Sequence, residues 1–276
     1  MTEKKKNVCL PKRLIASRKL IGNLAKNDFK KKFAGSYFGV IWAFIQPVIT
    51  VLLYWFVFEF GLHQKVNDLR TGIEVPFVLW LMGGLVPWFY FQEALNGGTG
   101  VLDEYSYLVK KVVFQIDALP VVKLISALFT HAFFVVFMLV VFAVMGFYPD
   151  LYVLQVVYYS FCMVMFTAGI YATSAVTVFF RDMKEVVAIL LQIGMWVTPI
   201  MWNFESMQGI PKWAVVLLKL NPMYYIVSGY RDALINKTAF WEHPGLTLWF
   251  WGITLFTLWA GTTVFKRLRV HFADVL

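Results

Sequence analysis

The sequence predicts an all-α integral membrane protein, and three observations carry that prediction. Of 276 residues, 60% are hydrophobic and only 15% charged, where a soluble domain carries about a quarter charged residues. Apolar runs of membrane length recur along the chain between short polar stretches, and about 20 apolar residues cross roughly 30 Å of hydrocarbon as a helix. The net charge of +9 is lopsided, with eleven basic residues before Tyr37. Six transmembrane helices are expected, with an N-terminal interfacial helix and short outward-facing re-entrant helices before the last span. Residues 1–36 form a cytoplasmic basic tail and residues 37–276 the membrane domain.

The tail is amphipathic over residues 11–32. Lys12, Lys19 and Lys26 recur at heptad spacing, with Leu10, Leu14, Ile21 and Leu24 opposite, which suits a helix lying in the interface. A basic tail also fits nucleic acid, but beside a membrane span it is read as a contact for anionic lipid; no nucleic-acid partner is expected. Cys9 and Cys162 offer neither a disulfide framework nor a metal spacing. No cleavable signal peptide is expected, because the first long apolar run begins near Tyr37 and no small-residue cleavage site follows it.

Residues 38–60 are the first span; they carry Gln46 and Pro47 and end with Glu59, close enough to the interface to snorkel. Residues 77–95 are the second, broken by Gly83-Gly84 and Pro87. After Asn96-Gly97-Gly98-Thr99-Gly100, residues 101–114 read as one short amphipathic helix. Thr99 caps it. Asp103 and Glu104 sit in its first turns and Lys110 and Lys111 in its last, as the helix dipole prefers. Val101, Leu102, Tyr105, Leu108, Val109 and Val112 make its apolar face.

Residues 116–147 contain the third span and its His131, read as a packing residue ahead of a proton relay. A turn at Gly146, Pro149 and Asp150 leads to the fourth span, residues 151–178. Residues 186–202 are the fifth. Two segments follow, 211–220 and 222–234, each too short to span and too apolar for a loop. Both begin with Pro, which suits a first helical turn, so they are read as short helices turning back at the membrane surface. Residues 246–265 are the last span. With six spans, nineteen of the 25 Lys and Arg fall on the side of the two termini, and that side is cytoplasmic.

No phosphate-binding Gly-x-x-x-x-Gly-Lys loop, His-Glu-x-x-His or Gly-x-Ser-x-Gly pattern occurs, so no catalytic residue and no metal site is expected on this chain. A membrane-embedded glycosyl- or acyltransferase would need clustered Asp, Glu or His at a membrane face, whereas the ionisable residues are scattered. Glu59, Glu93, Glu205 and Arg231 are read as snorkelling or locally paired ions, with gating as the alternative. Aromatic residues make up 18% of the chain, more than interfacial belts alone require, and some are expected to line a path.

The run Ser36-Tyr37-Phe38-Gly39-Val40-Ile41-Trp42-Ala43-Phe44-Ile45-Gln46-Pro47 resembles the opening of the first span in type-2 ABC transporter permeases of the polysaccharide, wall teichoic acid and O-antigen export family. Arg181-Asp182, Thr198-Pro199-Ile200-Met201-Trp202, Asn221-Pro222-Met223 and Tyr230-Arg231 resemble its fifth-span region. The resemblance covers nearly the whole chain in order. It implies a non-enzymatic permease that works as a homodimer with two copies of a separate ABC ATPase, which would hold the ATP and Mg, and that exports a lipid-linked glycan across the cytoplasmic membrane. Export of a drug or lipid is the alternative within the same superfamily. The resemblance makes the segment after the second span a coupling helix, with Val101, Leu102, Asp103, Glu104, Tyr105, Leu108 and Lys110 facing the ATPase function. It makes Trp42, Tyr54, Trp55, Trp196 and Trp202 candidates for the substrate path, because the first and fifth spans meet at the family's dimer interface. Asn221, Pro222, Tyr224, Tyr225 and Arg231 become candidates for the gate.

The charge count predicts that residues 65–71 and 206–237 face outward and residues 103–111 inward. Single cysteines at Asp68 and Asp103 are then expected to differ on whole cells, with only the first labelled by an impermeant thiol reagent. Equal labelling, or labelling at 103 alone, would overturn the assignment.

Overall fold

The computed structural model describes residues 10–61, 66–67, 72, 74–110, 114–148, 150–203 and 209–275. Cys9, the loop residues His63, Gln64, Lys65, Asp68 and Arg70, and Lys111, Val112, Pro149 and Glu205 lie outside them. The described chain is almost entirely helical. A two-stranded antiparallel pair, β1 (Val66–Asn67) and β2 (Glu74–Val75), joins the first two long helices, with Val66 opposite Val75 and Asn67 opposite Glu74.

The tail forms two helices, α1 (Leu10–Ala16) and α2 (Arg18–Lys31). A 3₁₀ turn at Gly39–Ile41 leads into α3 (Trp42–Trp55), which continues as a π turn over Phe56–Gly61. The next helix, α4 (Phe77–Thr99), is followed by two single turns, α5 (Val101–Glu104) and α6 (Ser106–Val109). Then come α7 (Ala118–Val144), α8 (Leu154–Thr167), α9 (Ile170–Thr177) and α10 (Met183–Val197). The chain closes with α11 (Lys212–Leu220), α12 (Pro222–Arg231), α13 (Pro244–Leu268) and the terminal turn α14 (Phe272–Val275). Four stretches among the described residues are long and apolar enough to cross a membrane: Gly39–Gly61, Ala118–Val144, Leu151–Thr177 and Pro244–His271.

The centre of the bundle is α4, with sixteen of its 23 residues buried. It packs against α7, α12, α9, α10, α3 and α8. The expected break at Gly83-Gly84 and Pro87 is absent; α4 runs through both and takes in the residues expected to form a Gly-rich linker. The glycines serve packing instead. A Cβ at Gly98 would land on the Ile170 side chain, and one at Gly84 would come within 2.9 Å of the Arg231 guanidinium and 3.0 Å of Ile200. Thr99 does not cap the following helix. It is the last residue of α4, its hydroxyl donating back to Leu95 O at 2.8 Å and meeting Thr173 Oγ1 at 3.0 Å. The start of α4 is served from the preceding turn: Phe77 N donates to Glu59 Oε2 at 3.1 Å, one of the open amides at a helix N-terminus.

Two further expectations are corrected. The fifth span stops at Val197, because Thr198 precedes Pro199 and is held extended (ψ 127°). Its 15 residues rise about 22 Å at 1.5 Å each. Trp202 therefore lies beyond the helix. Over its described residues 101–110, the segment expected as one helix is two separate turns, interrupted at Tyr105 (φ −106°, ψ 27°), whose side chain is drawn into the core.

Both short helices form, α12 with Pro222 as its first residue and α11 with Pro211 as the extended residue before it, but they differ in burial. On α11 no residue is buried, whereas eight of the ten residues of α12 are. So α12 is a core element between α4, α8 and α13, where a surface lid was expected. Asn221 caps it, accepting from Met223 N at 3.0 Å while its amide donates to Thr198 Oγ1 at 2.8 Å. Inside the bundle His131 Nε2 lies 3.0 Å from Tyr230 Oη and 3.3 Å from Ser160 Oγ, and Ser160 Oγ lies 2.6 Å from Tyr230 Oη. His131 thus packs within a polar cluster of three helices.

Arg231 ends α12 and is 7% exposed. Its Nε donates to Trp80 O at 3.2 Å, Nη1 to Pro199 O at 2.7 Å and Nη2 to Ile200 O at 2.9 Å. The guanidinium also lies 3.3 Å from the Trp80 ring centroid, a cation–π contact. One side chain thereby joins α12, the start of α4 and the extended end of α10. Arg231→Met removes the donor from three buried carbonyls, each worth about 1–3 kcal/mol when left unmade, so a loss of about 3 kcal/mol or more is expected. Arg231→Lys should lose much of this too, since an ammonium cannot reproduce the planar fork. Thermal unfolding in detergent checks both, and an unchanged midpoint for Arg231→Met would show that the clamp contributes nothing.

Candidate functional site

A cavity of about 710 Å³ opens between α2, α3, α4 and α7, with Met195 of α10 at one wall. Its aromatic wall is Phe33, Trp42, Tyr54 and Phe89; its polar wall includes Gln46, Thr50, Gln92, Asn96, Ser126 and Thr130. Asp28, Glu93 and Glu104 face Lys31, Lys32 and Lys123, so the charges balance. Several are paired: Lys32 Nζ lies 2.8 Å from Glu93 Oε1, bridging the end of α2 to α4. The Thr130 hydroxyl is buried with no partner among the described residues, a polar group that a ligand or water can satisfy. The volume is that of a small-ligand pocket, room for a short stretch of polymer.

Of the five path candidates, the structure brings Trp42 and Tyr54 into this cavity. Trp55 is half-buried elsewhere. Trp196 is 63% exposed on the outer face of α10, and Trp202 donates from Nε1 to Trp196 O at 3.0 Å. Trp80 and Trp88 are buried in the core, away from this cavity's lining. The sequence reading missed the amides Gln92 and Asn96 and the acid Asp28. The spacing of Asn96 from Gln92 and Glu93 on one face of α4 was the available signal.

The coupling candidates divide sharply. Val101, Leu102 and Tyr105 are buried within the chain, beside Val109, and Leu108 packs at the edge of the same cluster. Their apolar face is satisfied internally. The segment presents Tyr107, 54% exposed, together with exposed Glu104 and Lys110; Tyr107 was passed over because it falls off the apolar stripe. Asp103 and Glu104 each hold a cation from another helix: Asp103 Oδ2 is 2.6 Å from Lys184 Nζ, and Glu104 Oε2 is 2.7 Å from Lys123 Nζ. The Tyr105 hydroxyl donates to Asp28 Oδ1 at 2.7 Å. Burial, with the hydrogen bond to the Asp28 carboxylate, pushes this phenol well above its ordinary pKa, so it remains a neutral donor.

Asp28 also accepts from Lys123 at 2.6 Å. It is 6% exposed on the face of α2 that packs on α7, along with Ile21 and Ala25. The α2 helix is therefore docked on the bundle. A second carboxylate, Asp117 before α7, is held by Arg13 at 2.7 Å and Arg269 at 2.8 Å. Ser17 of the α1–α2 junction hydrogen-bonds Gln115. The N-terminal helices, the end of α13 and the start of α7 thus meet at one end of the bundle.

The gate candidates Tyr224, Tyr225 and Arg231 are buried. Tyr225 Oη meets Tyr158 Oη at 3.2 Å and Thr247 Oγ1 at 3.1 Å. With Asn221 and Pro222, they form the start and spine of α12 rather than a mobile surface.

Comparison with known proteins agrees with this architecture. An O-antigen export system permease protein, RfbA, of Myxococcus xanthus is 26% identical over 266 residues, covering 96% of this chain and 98% of its own. An RfbA of Klebsiella pneumoniae is 24% identical over 259 residues, 92% and 93% of the two chains. The polysialic acid transport protein KpsM of Escherichia coli is 25% identical over 242 residues, 87% and 89%. The family model described as ABC-2 type transporter matches residues 19–235. That is more than half of the chain, including α2, the cavity walls and α12, and the protein is a multi-pass member of the ABC-2 type transporter family.

Proposed function

We propose that the chain is the permease subunit of an ATP-driven exporter that moves a lipid-linked polysaccharide, O-antigen or teichoic acid type, across the cytoplasmic membrane. The observation that carries this reading is the near end-to-end similarity to an O-antigen permease, over 96% of one chain and 98% of the other. The cavity chemistry supports it. A sugar has C–H faces and hydroxyl edges. Rings such as Trp42 and Tyr54 cover the first, and amides such as Gln92 and Asn96 meet the second. The charge balance of the lining favours loose binding, which a moving polymer requires.

Six crossings follow if α4 and α10 are added to the four long apolar helices. The meeting of Arg13, Asp117 and Arg269 supports an even number, since both ends of the chain then lie on one side, the cytoplasmic side by charge. In this reading residues 1–36 form the interfacial tail and residues 37–276 the transport domain, with α11 and α12 entering from the outer side. The exposed apolar faces of α3 (Ile49, Leu52, Leu53, Phe56) and α10 (Ile189, Leu190, Ile193, Trp196) support a homodimer that meets along them. Two copies of a separate ATPase would carry ATP and Mg and dock at Tyr107, Glu104 and Lys110, with Val101, Leu102, Tyr105 and Leu108 anchoring the segment from within.

Depleting the chain is expected to leave a lipid-linked polymer inside the cell, identifiable by its sugar composition, and to strip that polymer from the surface. Unchanged surface polymer would refute the export reading. Trp42→Ala and Tyr54→Ala should each lower export about fivefold at normal expression, from roughly 1 kcal/mol of ring contact. Trp259→Ala, exposed on α13 and outside the cavity, should leave export per molecule unchanged. Equal effects of all three would remove the cavity from the path.

Docking through the small segment is tested at Tyr107. Tyr107→Asp should weaken retention of the ATPase about tenfold or more, as loss of an exposed aromatic anchor does, with insertion intact. An ATPase retained at parental levels would make the segment a mere connector.

A further inference from the structure

The ammonium of Lys123 is shared between two carboxylates that belong to different moving parts. It lies 2.6 Å from Asp28 Oδ1 on α2 and 2.7 Å from Glu104 Oε2 on α5. Its side chain is only 13% exposed, and its stem crosses α4 at Gly97, where a Cβ would stand 3.5 Å from Lys123 Cδ. Tyr105, the neighbour of Glu104, reaches the same Asp28 oxygen, and its ring lies 5.6 Å from the Lys123 ammonium and 5.4 Å from that of Lys31. Asp28, Glu104 and Lys123 all line the cavity. The segment next to α5 is the one that presents Tyr107 to a partner.

We infer that Lys123 is a positioning residue that carries movement of the segment 101–110 to α7 and α2 together, and so to the end of the cavity that Asp28, Glu104 and Lys123 line. This rests on the export reading, in which an ATPase moves that segment. The two arms of the bridge differ in strength. The Asp28 arm is buried, so separating it strands a charge in a poorly hydrated place. The Glu104 arm is 41% exposed on the acid side, where water can replace the lysine, and exposed pairs hold weakly. The Glu104 arm is therefore the weaker of the two, and the hydrogen bond from the adjacent Tyr105 to Asp28 holds the segment beside it. The parallel bridge from Asp103 to Lys184 delivers the same displacement to α10.

The test is a distance measurement on the complex purified with its ATPase, in the absence of glycan. Spin labels go on cysteines at Asn27 and Lys110 of a chain with Cys9 and Cys162 replaced by Ser. The distance is read before and after ATP with vanadate. In the parent the two labels are expected to move together, leaving the distance nearly unchanged. In Glu104→Gln and Lys123→Gln the distance should lengthen or broaden with nucleotide, while Lys123→Arg restores the parental response. Distances identical to the parent in both Gln variants, in a complex that carries its ATPase, would overturn this inference alone. Failure of the parent chain to retain any ATPase would sink the export reading along with it. Transport per ATP hydrolysed should fall at least about fivefold in Lys123→Gln, the lower range of measured couplings between sites.

Discussion

A buried guanidinium holds one end of this bundle together. Hydrocarbon cannot satisfy a backbone carbonyl, so a helix that stops inside a membrane needs partners from elsewhere in the protein. The end of α10 meets the same demand inside the bundle. Pro199 forces the chain out of helix, and the carbonyls of Pro199 and Ile200 are met by Arg231. The same cation takes the Trp80 carbonyl and lies against the Trp80 ring. Gly83 and Gly84 have no side chains to keep it away. The end of α10, the buried α12 and the Gly pair of α4 thus converge on one contact.

The opposite end is organised by carboxylates. Asp117 gathers Arg13 and Arg269, and Asp28 gathers Lys123 and Tyr105. Both carboxylates are buried, so breaking either set of pairs strands a charge; the bridges of Glu104 to Lys123 and of Asp103 to Lys184 are more exposed and correspondingly weaker. The result is a bundle with a stiff, buried clamp at one end and a set of adjustable ion pairs at the other. Such a division suits a transporter, in which a partner must push on one end without unfolding the rest.

The cavity wall is assembled from several helices. Trp42 and Tyr54 alone would be ordinary interfacial aromatics. Beside Gln92, Asn96 and the unpartnered Thr130 hydroxyl they become one surface with both ring and polar character. A pocket that balances its charges and spreads its contacts can hold a polymer at many points and release it from each, as a single tight site cannot.

The sequence by itself determined that this is a helical membrane protein, roughly where its long helices lie, and that Pro211 and Pro222 begin short ones. These are local properties: apolar length, proline geometry and charge bias are written in neighbouring residues. The motifs of residues 36–47 and 198–231 also pointed to the right family. Tertiary structure alone decided that α4 runs unbroken through Pro87, that α12 is core rather than lid, and that Tyr105 points inward while Tyr107 points out. It alone paired Lys123 with Asp28, 95 positions away, and Arg231 with Trp80, 151 positions away. A buried ion pair leaves no periodic trace in either partner's surroundings, because what stabilises it is the distance between two side chains and not the pattern around either.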